Sequence, residues 1–234
     1  LFATVRIQGA HQAHLDRNLS THGSSAVNGG RHPLPSREEV ATWLGSLGFE
    51  NQMQAVVYDR NGANYCGRMW WMLKWLGHDA VAVLDGGLQA WEASGGAVEK
   101  GAPAALKPIA SKFELKSALR EWVSTEQLAP QVGHPNLTLI DARAGARYRG
   151  EMEPLDPVAG HIPGALNRPF AENLGADGFF KSPEVLRAEF EKLLAGRDPA
   201  TVVHHCGSGV STVPNILAME LAGLGMTRLY PGSW

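Results

Sequence analysis

Apolar positions along the chain follow two rhythms. Short runs rich in β-branched residues, Val56-Val57, Ala80–Leu84, Leu137–Asp141 and Thr201-Val202-Val203, predict buried strands. Between them apolar residues recur at helical spacing: Val40, Trp43, Leu44 and Leu47; Met69, Trp70, Trp71, Leu73 and Trp75; Pro183 to Leu194; and Ile216, Leu217, Met219, Leu221 and Ala222. Ser36-Arg37-Glu38-Glu39 spells a capping box before the first of these helices. Pro214 suits the first turn of the last one, which Gly223 or Gly225 closes. Asp85-Gly86-Gly87 predicts a turn, Leu88 to Ala93 a short helix, and Ser124 to Leu128 another. Strands alternating with helices imply the α/β class, a mainly parallel sheet flanked by helices, whose ligands sit at the carboxyl ends of the strands.

The pattern occurs twice. Ile7-Gln8-Gly9-Ala10 and Ile162-Pro163-Gly164-Ala165 share an Ile-x-Gly-Ala core. Val56-Val57 through Gly77 aligns without gaps on Val202-Val203 through Gly223, and the same register places Gly86 on Gly232. Matches in the same order predict a duplicated α/β unit: a first domain over residues 1–97, a linker over 98–121 rich in Gly, Pro and Lys, and a second domain over 122–234. The chain reads as starting inside the first domain and stopping inside the second. The stretch from Asn18 to Pro35, rich in Gly, Ser, His and Asn, makes the first copy's connection the longer one, and long loops often carry function.

The copies differ at the end of the aligned strand. The second places Cys206-Gly207-Ser208-Gly209-Val210-Ser211 between strand and helix, where the first has Arg60-Asn61-Gly62-Ala63. Backbone N–H groups of residues 207 to 211 can turn into such a loop, and the helix start adds partial positive charge, so an anion at the centre is favoured. A free thiol with a pKa of about 8.5 is drawn toward the thiolate there, which makes Cys206 a candidate nucleophile. A cysteine phosphatase would need an arginine six places on, and position 212 is Thr; a hydrolase elbow would need glycines two before and two after its nucleophile. Cys66 falls inside the apolar helix of the first copy and reads as a packing residue.

Cys-Gly-Ser-Gly-Val-Ser resembles the active loop of the rhodanese family, of the kind that uses 3-mercaptopyruvate. The resemblance implies two tandem rhodanese-like domains, the first inactive, the second catalytic. It implies a sulfurtransferase in which Cys206 takes sulfur as a persulfide, with no other cofactor. In the family an arginine in an Arg-aromatic-x-Gly segment holds the donor carboxylate, and it matches Arg147, with Arg149 a weaker candidate. A serine, a histidine and an aspartate of the family's proton relay match Ser208, His32 in His32-Pro33-Leu34-Pro35, and Asp16. The chain departs from the animal pattern, which has a second arginine, at Glu153-Pro154-Leu155. Thiosulfate-preferring relatives place cations directly after the cysteine, whereas Gly207 and Ser208 carry no charge, which favours 3-mercaptopyruvate. Thiosulfate is the alternative donor. A non-catalytic binding or sulfur-carrier module is the alternative of another class, for which Ser211-Thr212-Val213-Pro214 leaves room, since relatives often read Thr-Ala-Cys-His there.

Composition narrows the partners. The 234 residues are 44% apolar and 19% charged, with a net charge of −2 and no apolar run long enough to span a bilayer. A small substrate is therefore expected, and neither nucleic acid nor membrane; the resemblance implies that it is an anionic sulfur donor, with a thiol, thioredoxin or cyanide as acceptor. Two cysteines form no disulfide framework, which suits a reducing compartment and a cytoplasmic location. His204-His205-Cys206 suggests a metal site on paper, but successive strand residues point to opposite faces, so none is expected. His161, in Gly160-His161-Ile162-Pro163-Gly164, reads as structural.

Overall fold

The computed structural model describes residues 2–102 and 111–234. The first unit runs β1 (Arg6–Ile7), α1 (Leu15–Asn18), α2 (Arg37–Ser46), β2 (Ala55–Val57), α3 (Cys66–Trp75), β3 (Val81–Val83), α4 (Gly87–Ala93) and β4 (Val98–Glu99). The second runs α5 (Thr125–Leu128), β5 (Thr138–Asp141), α6 (Gly145–Tyr148), β6 (Leu166–Asn167), α7 (Pro183–Leu194), β7 (Val202–His205), α8 (Val213–Leu221) and β8 (Arg228–Leu229). The capping box forms as spelled: the Ser36 hydroxyl accepts from Glu39 N, and the Glu39 carboxylate accepts from Ser36 N. Helix α7 has the bounds its periodicity predicts, with Ser182 as N-cap and Pro183 in the first turn.

In the second unit four parallel strands stand in the order β6-β5-β7-β8. The chain steps from β5 outward to β6 and then returns to the other side of β5 as β7. The crevice beyond the carboxyl ends of β5 and β7 is therefore the switch point where ligands of such sheets sit. In the first unit β2 pairs with β3 in parallel, while β1 and β4 form an antiparallel pair. That pair keeps Val98 and Glu99 with the first unit. The expected linker lies partly outside the described residues; from Ser111 onward it returns along α2 and α3, with Phe113 buried against Phe49 and His78.

Helix α3 is buried on almost every side because it is sandwiched. One face covers β2 and β3, and the other meets α8, where the absent side chain of Gly67 makes room for Val213 and Leu217. Trp71, Leu73 and Leu76 of the first unit share one hydrophobic cluster with Val213, Ile216, Leu217 and Leu229 of the second. The two units thus meet through core and not through a wet seam. No helix among the described residues is long and apolar enough to cross a membrane.

Candidate active site

Cys206 is the first residue beyond β7, 1% exposed, and its backbone is pinned on both sides. Its N–H donates to Ser233 Oγ at 3.2 Å, and its carbonyl accepts from Trp234 N at 3.1 Å. Ser208 N points at Cys206 Sγ, 3.5 Å away. Among the described residues the N–H groups of Gly207 and of Gly209 through Thr212 donate to no acceptor in the chain, and Thr212 places no side-chain cap on α8. Unengaged amides at the start of a nine-residue helix make a cradle for negative charge. Gly209 closes it at φ +71, where a Cβ would lie 2.7 Å from Pro231 Cα, so both conformation and space require glycine.

The first unit shows what such a loop holds. After β2 the carboxylate of Asp59 accepts from the N–H groups of Asn61, Ala63, Tyr65 and Cys66 at 2.7–3.2 Å. Arg60 stands at the position of Cys206, and the carboxylate one residue earlier fills the first unit's loop. Cys66, at that rim, is buried beside Asp59, and burial first and the carboxylate second push its thiol well up. It is held protonated and packed, in keeping with a structural role.

Cations gather over Gly207 from both units. A Cβ on that residue would lie 2.5 Å from Arg31 Nη2, 3.0 Å from Asp156 Oδ2 and 3.3 Å from Arg147 Nη2. Arg31, at the end of the long connection of the first unit, donates to the Gly207 carbonyl at 3.0 Å and pairs with Asp156 at 3.0 Å. Arg147, on α6, pairs with Asp156 at 2.7 Å and grips Glu153 with two donors at 2.7 and 3.1 Å. Burial alone would raise the Glu153 pKa, but Arg147 and the N–H groups of Asp156 and Leu155 outweigh it and hold it at about 2. Below the loop Arg68 of α3 is fully buried and donates to the carbonyls of Leu19, His32 and Gly209. No carboxylate pairs with it among the described residues. Burial lowers its pKa to about 10, against the opposing pull of the Cys206 charge.

The expected relay is assembled in part. His32 Nε2 stands 3.5 Å from Asp16 Oδ1, and the Asp16 side chain is 63% exposed. Burial lowers the His32 pKa despite Asp16, so the ring is neutral at pH 7, and its buried Nδ1 has no partner among the described residues. Ser208 is buried in the loop, but among the described residues no hydrogen bond joins it to His32. The N–H groups of Val210 and Ser211 are unengaged among the described residues, and Val210 keeps its side chain in the interior. Arg149 points away: it pairs with Glu151 at the surface, both more than half exposed, and does not reach the loop. His161 bonds the Tyr148 carbonyl at 2.7 Å and stacks on that ring, and His204 and His205 are buried and uncharged at pH 7. Among the described residues no three His, Cys, Asp or Glu side chains converge as metal ligands would.

Sequence reasoning did not select Arg31, Arg68, Glu153 or Asp156. A signal for Arg68 was present, since a lone charge in an otherwise apolar helix must find buried partners. Arg31 and Asp156 carried none, because their meeting depends on how the two units dock.

Fold and site together define a tandem α/β protein that presents one thiol in an amide cradle at a switch point. Residues 2–94 and 124–234 match the model of the rhodanese-like domain. The chain belongs to the rhodanese family, and it is a sulfurtransferase. It is 46% identical over 229 residues to a probable 3-mercaptopyruvate sulfurtransferase of Pseudomonas aeruginosa, covering 97% of this chain and 79% of that protein. It is 38% identical over 207 residues to the thiosulfate sulfurtransferase of Bos taurus, covering 86% and 68% respectively. The solved 3-mercaptopyruvate sulfurtransferase from Leishmania major superposes with a TM-score of 0.85 at 32% identity, over 98% of this chain and 63% of that one.

Proposed function

We propose that this chain moves a sulfane sulfur from 3-mercaptopyruvate through a Cys206 persulfide to a small thiol, thioredoxin or cyanide, releasing pyruvate. The observation that carries the proposal is the seat around Cys206: unengaged amides beneath it, and Arg31 and Arg147 directly over Gly207. The unengaged loop amides, with the Ser208 N–H 3.5 Å from Cys206 Sγ, suit a bound anion beside the sulfur, and the two guanidiniums suit the carboxylate of the donor. Cys206 attacks the donor sulfur, the carbon–sulfur bond breaks, and its electron pair passes to the enolate of pyruvate. The proton of the donor thiol reaches the enolate carbon through Ser208, with the neutral ring of His32 and then Asp16 behind it. The acceptor then takes the outer sulfur and frees the thiolate, a ping-pong course. Both cysteines are free thiols, which suits a reducing compartment such as the cytoplasm.

The test is intact mass and pyruvate release after mixing with each donor. Expected are one added sulfur and one pyruvate per chain with 3-mercaptopyruvate, none in Cys206→Ser, and a higher kcat/KM for this donor than for thiosulfate. A higher kcat/KM for thiosulfate would reassign the donor; loss of loading with both would leave a binding module.

A further inference from the structure

The mouth of the site is already neutral before any donor arrives. Arg31 and Arg147 face Gly207, and two carboxylates, Glu153 and Asp156, are packed against them with side chains only 4% and 3% exposed. The two acids have different duties. Glu153 is built in: besides Arg147 and Arg143 it accepts from the N–H groups of Leu155 and Asp156 at 3.0 Å each. Asp156 is held differently. Its carboxylate bridges the two arginines, one oxygen on each, and its Oδ2 reaches to within 3.0 Å of where a Gly207 Cβ would stand. It occupies the place, with the charge and two-oxygen geometry, of a carboxylate bound to both guanidiniums beside Cys206. Its neighbours Leu155 and Val158 are exposed, so water lies next to the side chain if it swings out.

We infer that Asp156 is an internal stand-in for the donor's carboxylate and determines which donors are taken. A monoanionic carboxylate exchanges for Asp156 between Arg31 and Arg147 at constant charge. A dianion taking the same place after Asp156 swings out brings one negative charge more than Arg31 and Arg147 can balance beside ionised Glu153. Like charge within a few ångströms disfavours it, and the selection lies in repulsion as much as in fit. The exchange also keeps the two guanidiniums aligned when no donor is bound, so they need no reordering when one arrives. This inference rests on the proposed carboxylate-bearing donor, whereas its alkylation test needs no donor.

The experiment compares alkylation of Cys206 by iodoacetate, a monoanion, with iodoacetamide, its neutral counterpart. A loosened loop changes both rates together, whereas a change in local charge changes their ratio. In Asp156→Asn the iodoacetate to iodoacetamide ratio should rise at least about fivefold, as expected for removing one unit charge a few ångströms away. Asp156→Ser, a second charge-free variant, should rise likewise, and Asp156→Glu should stay near the wild type. An unchanged or lower ratio in the charge-free variants would overturn the inference, because Asp156 would then be only a clasp that orders the arginines. With donors, the charge-free variants should gain more in kcat/KM for thiosulfate than for 3-mercaptopyruvate; equal gains would also overturn it. A raised alkylation ratio in a protein that 3-mercaptopyruvate cannot load would leave the role of Asp156 standing and remove only the donor assignment.

Discussion

At Gly207 the missing side chain is what lets three charged groups meet over the thiol. Gly207→Ala places a methyl against Arg31, Asp156 and Arg147, and the guanidiniums, as ends of flexible side chains, give way. The fold should persist, while persulfide loading measured in a single turnover falls about tenfold or more from misplacement of the anion seat. Unchanged loading would separate the arginines from the chemistry. At this scale the placement of Cys206 at the strand's end and of Arg147 beside its loop was legible from their local spelling. Arg31 and Asp156 were not, since a loop residue of one unit meets a loop residue of the other only after docking. The pairing of Asp16 with His32 was legible from resemblance, but the bond from His32 to Ser208 is not made, and Arg149 goes to a surface pair with Glu151.

Strand, loop and helix recur as an element, and the two copies use it differently. In the first, four N–H groups end on Asp59. Asp59→Ala should destabilise the protein by about 2–4 kcal/mol in urea unfolding, since four donors, those of Ala63 and Cys66 partly buried, lose their acceptor together. At low denaturant its loading rate at Cys206 should match the wild type. Arg68 gives the opposite pairing of effects. Arg68→Met strands three carbonyls and removes the buried cation that ties α3 to the Gly209 turn, so both stability, by about 3 kcal/mol, and loading should fall. A loss of stability alone would limit Arg68 to packing. Helix bounds were the most legible part of the chain: the Ser36 capping box forms as spelled, and α7 runs from Pro183 to Leu194 as its periodicity predicts. Strand ends were less so. Thr201 reads as strand but closes a short turn capped by Asp198, because the pairing with β5 starts only at Val202.

Across the whole molecule, one core joins both units, so acid should unfold it as a unit. His204 is fully buried and neutral with its pKa lowered from 6.5 to about 3, by burial first and then by His205. The unfolded chain binds that proton and the folded chain does not, so stability falls as pH drops from about 6.5 toward 3. Each such proton contributes a slope of about 1.4 kcal/mol per pH unit. His205, also lowered, adds in the same direction. Glu153, held at about 2 against 4.5, stabilises fully above 4.5 and loses its contribution only as pH falls from there toward 2. Denaturant unfolding between pH 6.5 and 4.5 therefore reports the histidines alone, and His204→Leu should flatten it; an unaltered slope would contradict a neutral buried ring. The tandem plan itself was legible from the gapless match of Val56–Gly77 on Val202–Gly223. The fusion of the two cores was not, because periodicity shows that α3 is apolar all round but does not name its second neighbour.

The carboxylate that Asp59 folds into the first unit has a consequence for stoichiometry. With one of two related nests satisfied from within by Asp59, the duplicated architecture should bind a single anion. Calorimetric titration with a small anion such as sulfite should level off at a single equivalent per polypeptide, with a simple hyperbola and no communication between halves.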